Sequence, residues 1–252
     1  MTSVWKKSAQ SLLAVAAVAA SALFAPAAGH AAPSCSPVAP TEAAAAAAAK
    51  ACGITVEALD HRSATSSLQV QADGTAVLYV STYAWTQVSS GYPTTSFWTT
   101  NRDAMRSGRE YGTTRVWRSF VRFDGLAPVT GTQILNATVT LTLNHSASCA
   151  ATPVDLWKTQ DLTAPATTTW ANSLGYWQTK VASVSTAANT TCGSAPHAVT
   201  FSGGVTNAVQ QKAAGGGADI TFGLRALDEN DQLQWKKFAP TGAFLEIWYQ
   251  TA

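Results

Sequence analysis

Short runs of alternating apolar and polar residues recur along most of this chain, and they constrain its fold more than any other feature. In residues 138–143, Val139, Leu141 and Leu143 share one face while threonines occupy the other, which is typical of a half-buried strand. Similar runs cover residues 76–82, 115–123, 154–159, 181–184, 219–224, 233–238 and 244–249. Because turn residues rather than helices separate these runs, the sequence predicts an all-β antiparallel sandwich or barrel.

One short helix is predicted at residues 205–214. Val205, Ala208 and Val209 follow helical spacing there, and the glycines at 215–217 end the pattern. The predicted class is therefore all-β with one short helix.

The N-terminus has the features of an export signal. Lys6 and Lys7 give a positive segment, residues 12–24 are apolar, and the small residues at 29–31 suit a signal peptidase. The apolar run is too short to favour a spanning helix, and no later segment reaches the length a bilayer needs. We expect a secreted, extracellular protein with a signal peptide at 1–31, an alanine-rich arm and transition segment at 32–67, and a β-sandwich domain at 68–252.

The mature chain is expected to be electrically balanced. The full sequence has 16 basic and 14 acidic side chains, and cleavage near Ala31 removes Lys6 and Lys7 but no acidic residue. No basic surface for nucleic acid or anionic lipid is therefore expected.

The chain has four cysteines, Cys35, Cys52, Cys149 and Cys192. An even number in an exported protein indicates two disulfides, because the compartment is oxidising. Three pairings are possible, and we favour Cys35–Cys52 with Cys149–Cys192. A metal site is the alternative, but no Cys-x-x-Cys or His-x-His spacing supports it, and no cofactor is expected.

The arm contains an uninterrupted run of alanines: Ala43, Ala44, Ala45, Ala46, Ala47, Ala48 and Ala49. Alanine is the best helix former, Thr41 is a good N-cap, Lys50 complements the helix dipole, and Gly53 suits a left-handed cap. The sequence therefore predicts a helix over about residues 42–51.

A disulfide between Cys35 and Cys52 would join this helix to the extended segment before it and create a thin hairpin, with its tip near Pro40 and Thr41. Alanine methyl groups permit close backbone approach, which suits insertion into a narrow cleft of another protein. Pro40, Thr41, the alanine run and Lys50 are therefore the predicted partner-binding residues. A flexible spacer is the alternative, but the flanking cysteines favour a structured arm.

Enzymatic function is not expected. His61, His145 and His197 lie beside no recognisable nucleophile, and the sequence has no Gly-x-Ser-x-Gly or His-Glu-x-x-His motif. The carboxylates from which a glycoside-cleaving pair might be drawn are Asp124, Asp155, Asp161, Glu229 and Asp231. We interpret residues 228–231 as a hairpin turn rather than a calcium loop.

The chain is rich in aromatic side chains, and for any one of them we expect a place in the core of the sandwich. Tyr92, Phe97 and Trp98 are of most interest, because they lie in a predicted loop at residues 89–98. Loop aromatics form either a ligand platform or a protein interface. They make a carbohydrate-binding or cell-surface adhesion module the alternative function.

Five segments follow one another along the chain: RSFVRFD at 118–124, ILNATVTL at 134–141, TTW at 168–170, FGLRA at 222–226 and WKKF at 235–238. Their sequence and order resemble the secreted bacterial DNRLRE-type modules. The resemblance covers about residue 69 to the C-terminus, and it implies a jelly-roll β-sandwich similar to some carbohydrate-binding modules. The six-residue run that names those modules is not spelled in this chain.

The combination of an alanine-rich arm with a sandwich that makes up nearly all of the mature chain resembles the adaptor subunit of bacterial umbrella toxin particles. That resemblance implies a non-catalytic adaptor whose arm engages a trypsin-like lectin subunit, while its globular part holds a repeat-containing toxin subunit. We therefore expect protein partners, with a glycan as the alternative ligand, and neither nucleic acid nor a membrane.

Overall fold

A computed structural model describes residues 56–61, 64–71, 74–98, 103–162 and 167–251. The export signal and the alanine-rich arm lie outside these residues. The described part confirms the predicted class, because it forms an antiparallel β-sandwich with one α-helix. Its first strand begins at Val56, inside the segment that the sequence assigned to the transition.

The described residues form twelve strands and an α-helix. The strands are β1 (Val56–His61), β2 (Ala64–Val70), β3 (Thr75–Ser89), β4 (Met105–Arg109), β5 (Val116–Asp124), β6 (Gln133–Ser146), β7 (Thr152–Thr159), β8 (Trp177–Thr186), β9 (His197–Phe201), β10 (Asp219–Ala226), β11 (Lys236–Phe238) and β12 (Phe244–Gln250). The helix is α1 (Val205–Ala214), and short 3-10 turns occupy Ala127–Val129, Asn172–Gly175, Thr190–Cys192 and Gln232–Gln234.

The first sheet is built around β6. Strands β12 and β11 lie end to end along one side of β6, and β9 pairs with its other side. Beyond β12 follow β3, β2 and β1, and beyond β11 follows β4. Among the described strands β1 pairs only with β2, so it forms an edge of this sheet.

The second sheet has the order β3, β5, β10, β7 and β8, and the end of β4 also pairs with β5. All of these pairs are antiparallel. The connections from β5 to β6, β6 to β7, β8 to β9, β9 to β10 and β10 to β11 each pass from one sheet to the other. Such repeated crossing between two sheets is jelly-roll-like.

Strand β3 belongs to both sheets. Its first half pairs with β2 and β12, and its second half pairs with β5. The pairing with β5 shifts register between Thr82 and Ala84, which marks a β-bulge. A bulge bends a strand and increases its twist, so β3 can turn from one layer into the other.

Apolar side chains from the facing sides of the two sheets form the core. Val139, Leu141 and Leu143 of β6 are fully buried there, which confirms the inward face predicted from their alternation. Phe123 and Phe222 meet them from the second sheet, with ring centroids 6.3 Å apart. Each fully buried side chain of this size stabilises the fold by about 1.5–3 kcal/mol.

Helix α1 has the bounds that the sequence predicts and completes the edge of β6 where β9 stops. The backbone N–H of Ile134 donates to Oε1 of Gln210 at 2.8 Å, and that of Ala137 donates to Oγ1 of Thr206 at 2.9 Å. Side chains of the helix thus replace a neighbouring strand and satisfy an edge that would otherwise be open. None of the helices in the described part combines the length and apolar character needed to cross a membrane.

The long strands give the sandwich two distinct ends. Val70 of β2, Thr75 of β3, Gln133 of β6 and Gln250 of β12 lie at one end, and Val56 is there because it pairs with the residue before Val70. We call it the arm end, since the arm is covalently joined to Val56. The connections at the opposite end, the loop end, are residues 90–104, 110–115, 147–151, 187–196 and 227–235.

A disulfide between Cys149 and Cys192 joins two connections at the loop end, with 5.8 Å between the Cα atoms, and it confirms one predicted pair. The sequence separation of 43 corresponds to a loop whose closure restricts the unfolded chain by about 4 kcal/mol. The other predicted pair, Cys35 with Cys52, lies outside the described residues.

A lysine is buried near the loop end. Lys236 of β11 has no exposed surface, and its Nζ donates to Oγ1 of Thr152 at 2.5 Å. Burial lowers the pKa of Lys236 to about 8, although the nearby Asp231 carboxylate acts in the opposite direction. A buried cation with so few partners costs folding free energy.

The change Lys236→Met is expected to stabilise the protein in a pH-dependent way. Below pH 8 the folded protein carries the full cost of the buried ammonium. Between pH 8 and 10.5 the unfolded chain binds more protons than the folded protein does, so the unfolding free energy of the wild type rises with pH. At pH 7 the variant should be more stable by up to about 3 kcal/mol, and this gap should close towards pH 10.5. Urea unfolding from pH 6 to 10.5 measures the difference in unfolding free energy between the variant and the wild type. Lys237→Met is the control, because Lys237 is only half-buried. An equal pH dependence in wild type and Lys236→Met would contradict the prediction.

Candidate functional site

The predicted partner-binding residues lie outside the described part of the chain. They are Pro40, Thr41, Ala43, Ala44, Ala45, Ala46, Ala47, Ala48, Ala49 and Lys50. The structure does describe the residue to which this segment is joined, Val56. Because β1 is an edge strand, the arm is attached at the rim of a sheet rather than in its middle.

The three loop aromatics have different environments. Phe97 and Trp98 are 2% and 7% exposed, whereas Tyr92 is 42% exposed. Phe97 packs against Trp117, with ring centroids 5.4 Å apart, and Trp98 belongs to a second apolar cluster on the outer side of the second sheet. Their burial favours a packing role for Phe97 and Trp98, and it leaves Tyr92 as the ring that can meet a ligand or partner.

The exposed ring of Tyr92 is held by its neighbours. Nη1 of Arg115 donates to the Tyr92 hydroxyl at 3.1 Å, and Nε of Arg115 lies 3.0 Å from a carboxylate oxygen of Glu110. The same carboxylate accepts from Nε1 of Trp117 at 3.1 Å. These contacts connect the 90–98 loop to the β4–β5 turn and fix the orientation of the ring.

Alternating arginines and tryptophans cover the outer face of the second sheet. The Arg118 guanidinium lies 4.2 Å from the ring centroid of Trp170 and 5.5 Å from that of Trp177. The Arg225 guanidinium lies 5.0 Å from Trp177 and 5.4 Å from Trp157. We call these five residues the Arg–Trp stack, and each cation–π contact of this kind contributes about 0.5–2 kcal/mol.

Glu229 bridges the two arginines of the stack. Its carboxylate accepts from Nε and Nη2 of Arg118 at 2.8 and 2.6 Å, and from the same atoms of Arg225 at 3.3 and 3.5 Å. Arg118 is buried, so its charge depends on this partner. Removing one member of a buried ion pair typically costs about 3–5 kcal/mol.

Trp177 sits at the centre of the stack because Gly223 has no side chain. A Cβ at Gly223 would overlap the Trp177 ring and would lie 3.0 Å from Cγ2 of Thr159. Phe120 packs beside the indole, with ring centroids 5.0 Å apart. A strand glycine therefore gives the indole direct access to the sheet backbone.

The β7–β8 connection passes over this face. Trp170 contributes to the Arg–Trp stack, and the backbone N–H of Ala171 donates to the carbonyl oxygen of Pro93 at 3.0 Å. The stack thus holds a long connection in place. The alternation of Arg118, Phe120 and Arg122 along β5 is the sequence pattern that indicates this covered outer face. From the sequence, residues 115–123 were predicted only as a strand of the sandwich.

Each carboxylate that might have served a glycoside-cleaving site is engaged in a structural contact. Asp124 accepts from the N–H of Gly125 at 3.0 Å, Asp155 faces Lys180 at 3.6 Å, Asp161 pairs with Lys212, Glu229 binds the two arginines, and Asp231 accepts from the N–H of Leu233 at 2.9 Å. Residues 228–231 form a turn, in which Asp228 accepts from the N–H of Asn230 at 2.9 Å. The described residues contain no group of three or more potential metal ligands.

The two histidines whose side chains are described also have structural partners. His145 packs edge-on against Trp235, with ring centroids 5.7 Å apart, and burial together with the Lys237 charge lowers its pKa. The Nε2 of His197 lies 2.8 Å from Oγ1 of Thr186. Both contacts connect neighbouring strands or loops.

The outer face of the first sheet carries a smaller aromatic group. Nε1 of Trp248 donates to Glu246 at 2.6 Å, and the ring centroids of Tyr79 and Phe244 are 6.4 Å apart. Burial, with the Glu246 charge and hydrogen bond in support, raises the pKa of Tyr79 to about 12. This carboxylate is therefore occupied by its two aromatic neighbours.

Comparison with known proteins does not add an assignment. No protein family matches the chain, and no curated protein matches it.

The change Gly223→Ala is expected to destabilise the protein by about 1–3 kcal/mol, because the new methyl group would displace Trp177 from the centre of the Arg–Trp stack. Thermal unfolding and near-ultraviolet circular dichroism measure the effect. Gly175→Ala is the matched control, since no atom lies within 4 Å of the Cβ that it would add. Equal melting temperatures for the two variants would contradict the close contact.

Proposed function

We propose that this protein is a secreted, non-catalytic adaptor that bridges subunits of an extracellular, toxin-type protein complex. Its alanine-rich arm inserts into the cleft of a trypsin-like lectin partner, and its sandwich binds a second, repeat-containing toxin subunit.

The observation that carries the proposal is the position of Val56. This residue begins the edge strand β1 at the arm end, and the alanine run that ends at Ala49 precedes it by seven positions in the sequence. A segment attached at the rim can extend away from the sandwich without breaking any pair of the sheet.

The side-chain contacts support a non-catalytic role. The carboxylates and the two histidines described above make structural contacts with cations, backbone N–H groups or neighbouring side chains. Because structural partners engage these groups, we assign none of them a role as general acid or base.

Export is supported by the disulfide between Cys149 and Cys192, because such bonds persist in oxidising compartments. The sequence at residues 1–31 adds the features of a signal peptide.

Deleting residues 34–53 from the full chain is expected to abolish binding of the trypsin-like partner and to leave the sandwich folded, since β1 begins only at Val56. Affinity purification from the native culture fluid, followed by mass spectrometry, shows which partners the variant still binds. Thermal unfolding shows whether its sandwich is folded. A deletion variant that retains this partner, or a wild-type protein that migrates alone, would overturn the proposal.

A pair of substitutions separates insertion from mere tethering. Ala46→Phe should weaken binding of the same partner about tenfold, because overpacking a narrow cleft costs about 1–3 kcal/mol. Ala46→Ser, which adds little volume, should retain it. Equal binding by both variants would show that the alanine face does not enter a cleft.

Glycan binding is the second candidate, and the observation that favours it is the exposed ring of Tyr92 beside Arg115. Tyr92→Ala should then abolish binding on a glycan array, because a sugar face packs on an exposed aromatic ring. Leu174→Ala is the control, since Leu174 is exposed but offers no ring. The absence of any array signal from the wild-type protein would remove this candidate.

A further inference from the structure

Three basic side chains lie side by side on the outer face of the first sheet, near the loop end. Lys237 of β11 is directly opposite Arg106 of β4 on one side and His145 of β6 on the other. Residues that are directly opposite in antiparallel strands point to the same face, with Cβ atoms about 5 Å apart. The three side chains therefore form one continuous row, and all three are partly exposed.

A β-bulge places His145 in this row. Phe238 is opposite Leu143, and Lys237 is opposite His145, so Asn144 is an extra residue on β6. Leu143 and Phe238 are buried in the core. Without the extra residue His145 would share the inward face of Leu143, because side chains alternate along a strand. The bulge reverses that alternation and moves His145 to the outer face.

Like charges that are directly opposite on neighbouring strands destabilise a sheet, so each member of the row needs compensation. Arg106 has it, because its Nη2 donates to both carboxylate oxygens of Asp103 at 2.7 and 2.8 Å, and its Nη1 donates to Oε1 of Gln87 at 3.2 Å. Lys237 differs. Its Nζ lies 5.1 Å from the ring centroid of Trp235 and has no ion-pair or hydrogen-bond partner among the described residues. The row thus contains one cation without a counter-ion.

His145 supplies a second donor beside this cation. Its ring packs edge-on against Trp235, the same indole that Lys237 contacts. Within the described part of the chain, neither ring nitrogen of His145 has a hydrogen-bond partner. Burial and the Lys237 charge lower the pKa of His145, so the imidazole is mainly neutral at pH 7. A neutral imidazole still offers one N–H to a ligand.

The charges in and beside the row indicate which ligand fits. The described groups that are charged at pH 7 are Arg106, Lys237 and Asp103, and the charge of Lys237 acts on both Asp103 and His145. Two cations and one anion leave a single positive charge. A carboxylate matches it, because it is a monoanion whose two oxygens can accept from the ammonium and from the imidazole. A phosphate dianion would leave one negative charge uncompensated.

We propose that Lys237 and His145 form a binding site for one carboxylate group of a small organic acid or an acidic sugar. The ammonium provides the charge, the imidazole provides a directional N–H, and Trp235 holds both side chains in place. The site requires neither the arm nor a second subunit. It therefore goes beyond the adaptor function, and the two proposals are tested separately.

The test is acetate binding by the full secreted chain, followed through the imidazole NMR signals of His145. Relative to chloride at the same concentration, acetate is expected to shift these signals and to raise the pKa of His145, because a bound anion favours the imidazolium. By linkage, acetate affinity should increase as the pH falls through the pKa of His145, which lies below its usual value of 6.5. The signals of His197 should not shift, since Thr186 occupies its Nε2.

Three variants examine the role of each side chain. Lys237→Gln should weaken acetate binding about tenfold, because a charge-assisted contact is lost, whereas Lys237→Arg keeps the charge and should retain most of the affinity. His145→Gln should remove the pH dependence, and it identifies the His145 signals. Thermal unfolding shows whether each variant is folded. Equal acetate affinity in the wild type and a folded Lys237→Gln variant would overturn the inference, as would equal shifts at His145 and His197.

Glucuronate and glucose distinguish the source of the carboxylate. Tighter binding of glucuronate than of acetate would place the carboxylate on a sugar, and equal affinity would place it on a free organic acid. Glucose has no carboxylate and should leave the His145 signals unchanged. A glucose shift as large as that of glucuronate would contradict the proposed site, because the sugar ring rather than the charge would then be recognised.

Discussion

Strand β3 connects the two layers of the sandwich, and most of the architecture depends on it. Ala76, Leu78 and Val80 point into the core from its first half, and Trp85 points into the core from its second half. The inward positions are even-numbered before the bulge and odd-numbered after it, because the extra residue at the bulge reverses the alternation. The strand can therefore leave one sheet and enter the other while it keeps an apolar face towards the core.

The outer face of the second sheet solves a different problem, since it buries charged residues beneath a connection. A buried guanidinium is unfavourable unless its charge and its N–H groups are satisfied. Glu229 provides the opposite charge for Arg118 and Arg225, and the tryptophan rings provide the faces between which both are stacked. Planar guanidinium groups suit this arrangement better than lysine would, because they can stack and donate within one plane. The result is a rigid covering layer in which aromatic side chains that resemble a ligand platform are instead used for packing.

Particular segments show what the sequence could predict. The alternation in residues 138–143 and the helical spacing at residues 205–214 depend on local geometry, and both predictions agree with the structure. The strand predicted at 76–82 ended too early, because the alternation changes phase at the bulge and the pattern no longer continues. Strands β1, β2, β4 and β9 were not predicted. Among them, β4 and β9 have only five residues each and are held mainly by pairing with distant strands, a tertiary effect that a local pattern does not contain.

The candidate sites were harder to predict for the same reason. Phe97 and Trp98 lie in a loop, as predicted, yet packing against strand residues buries them, and Trp117 is twenty positions away from Phe97 in the sequence. Their burial depends on where β5 lies relative to the 90–98 loop. The hydrogen bonds between the β4–β5 turn and the β10–β11 connection could not be predicted from the sequence either, since more than a hundred residues separate the two connections. It is the antiparallel order of β5 and β10, together with the pairing of β4 and β11, that brings these connections to the same end. The strands that bury the core thus also place Val56 and these two connections at opposite ends of the sandwich.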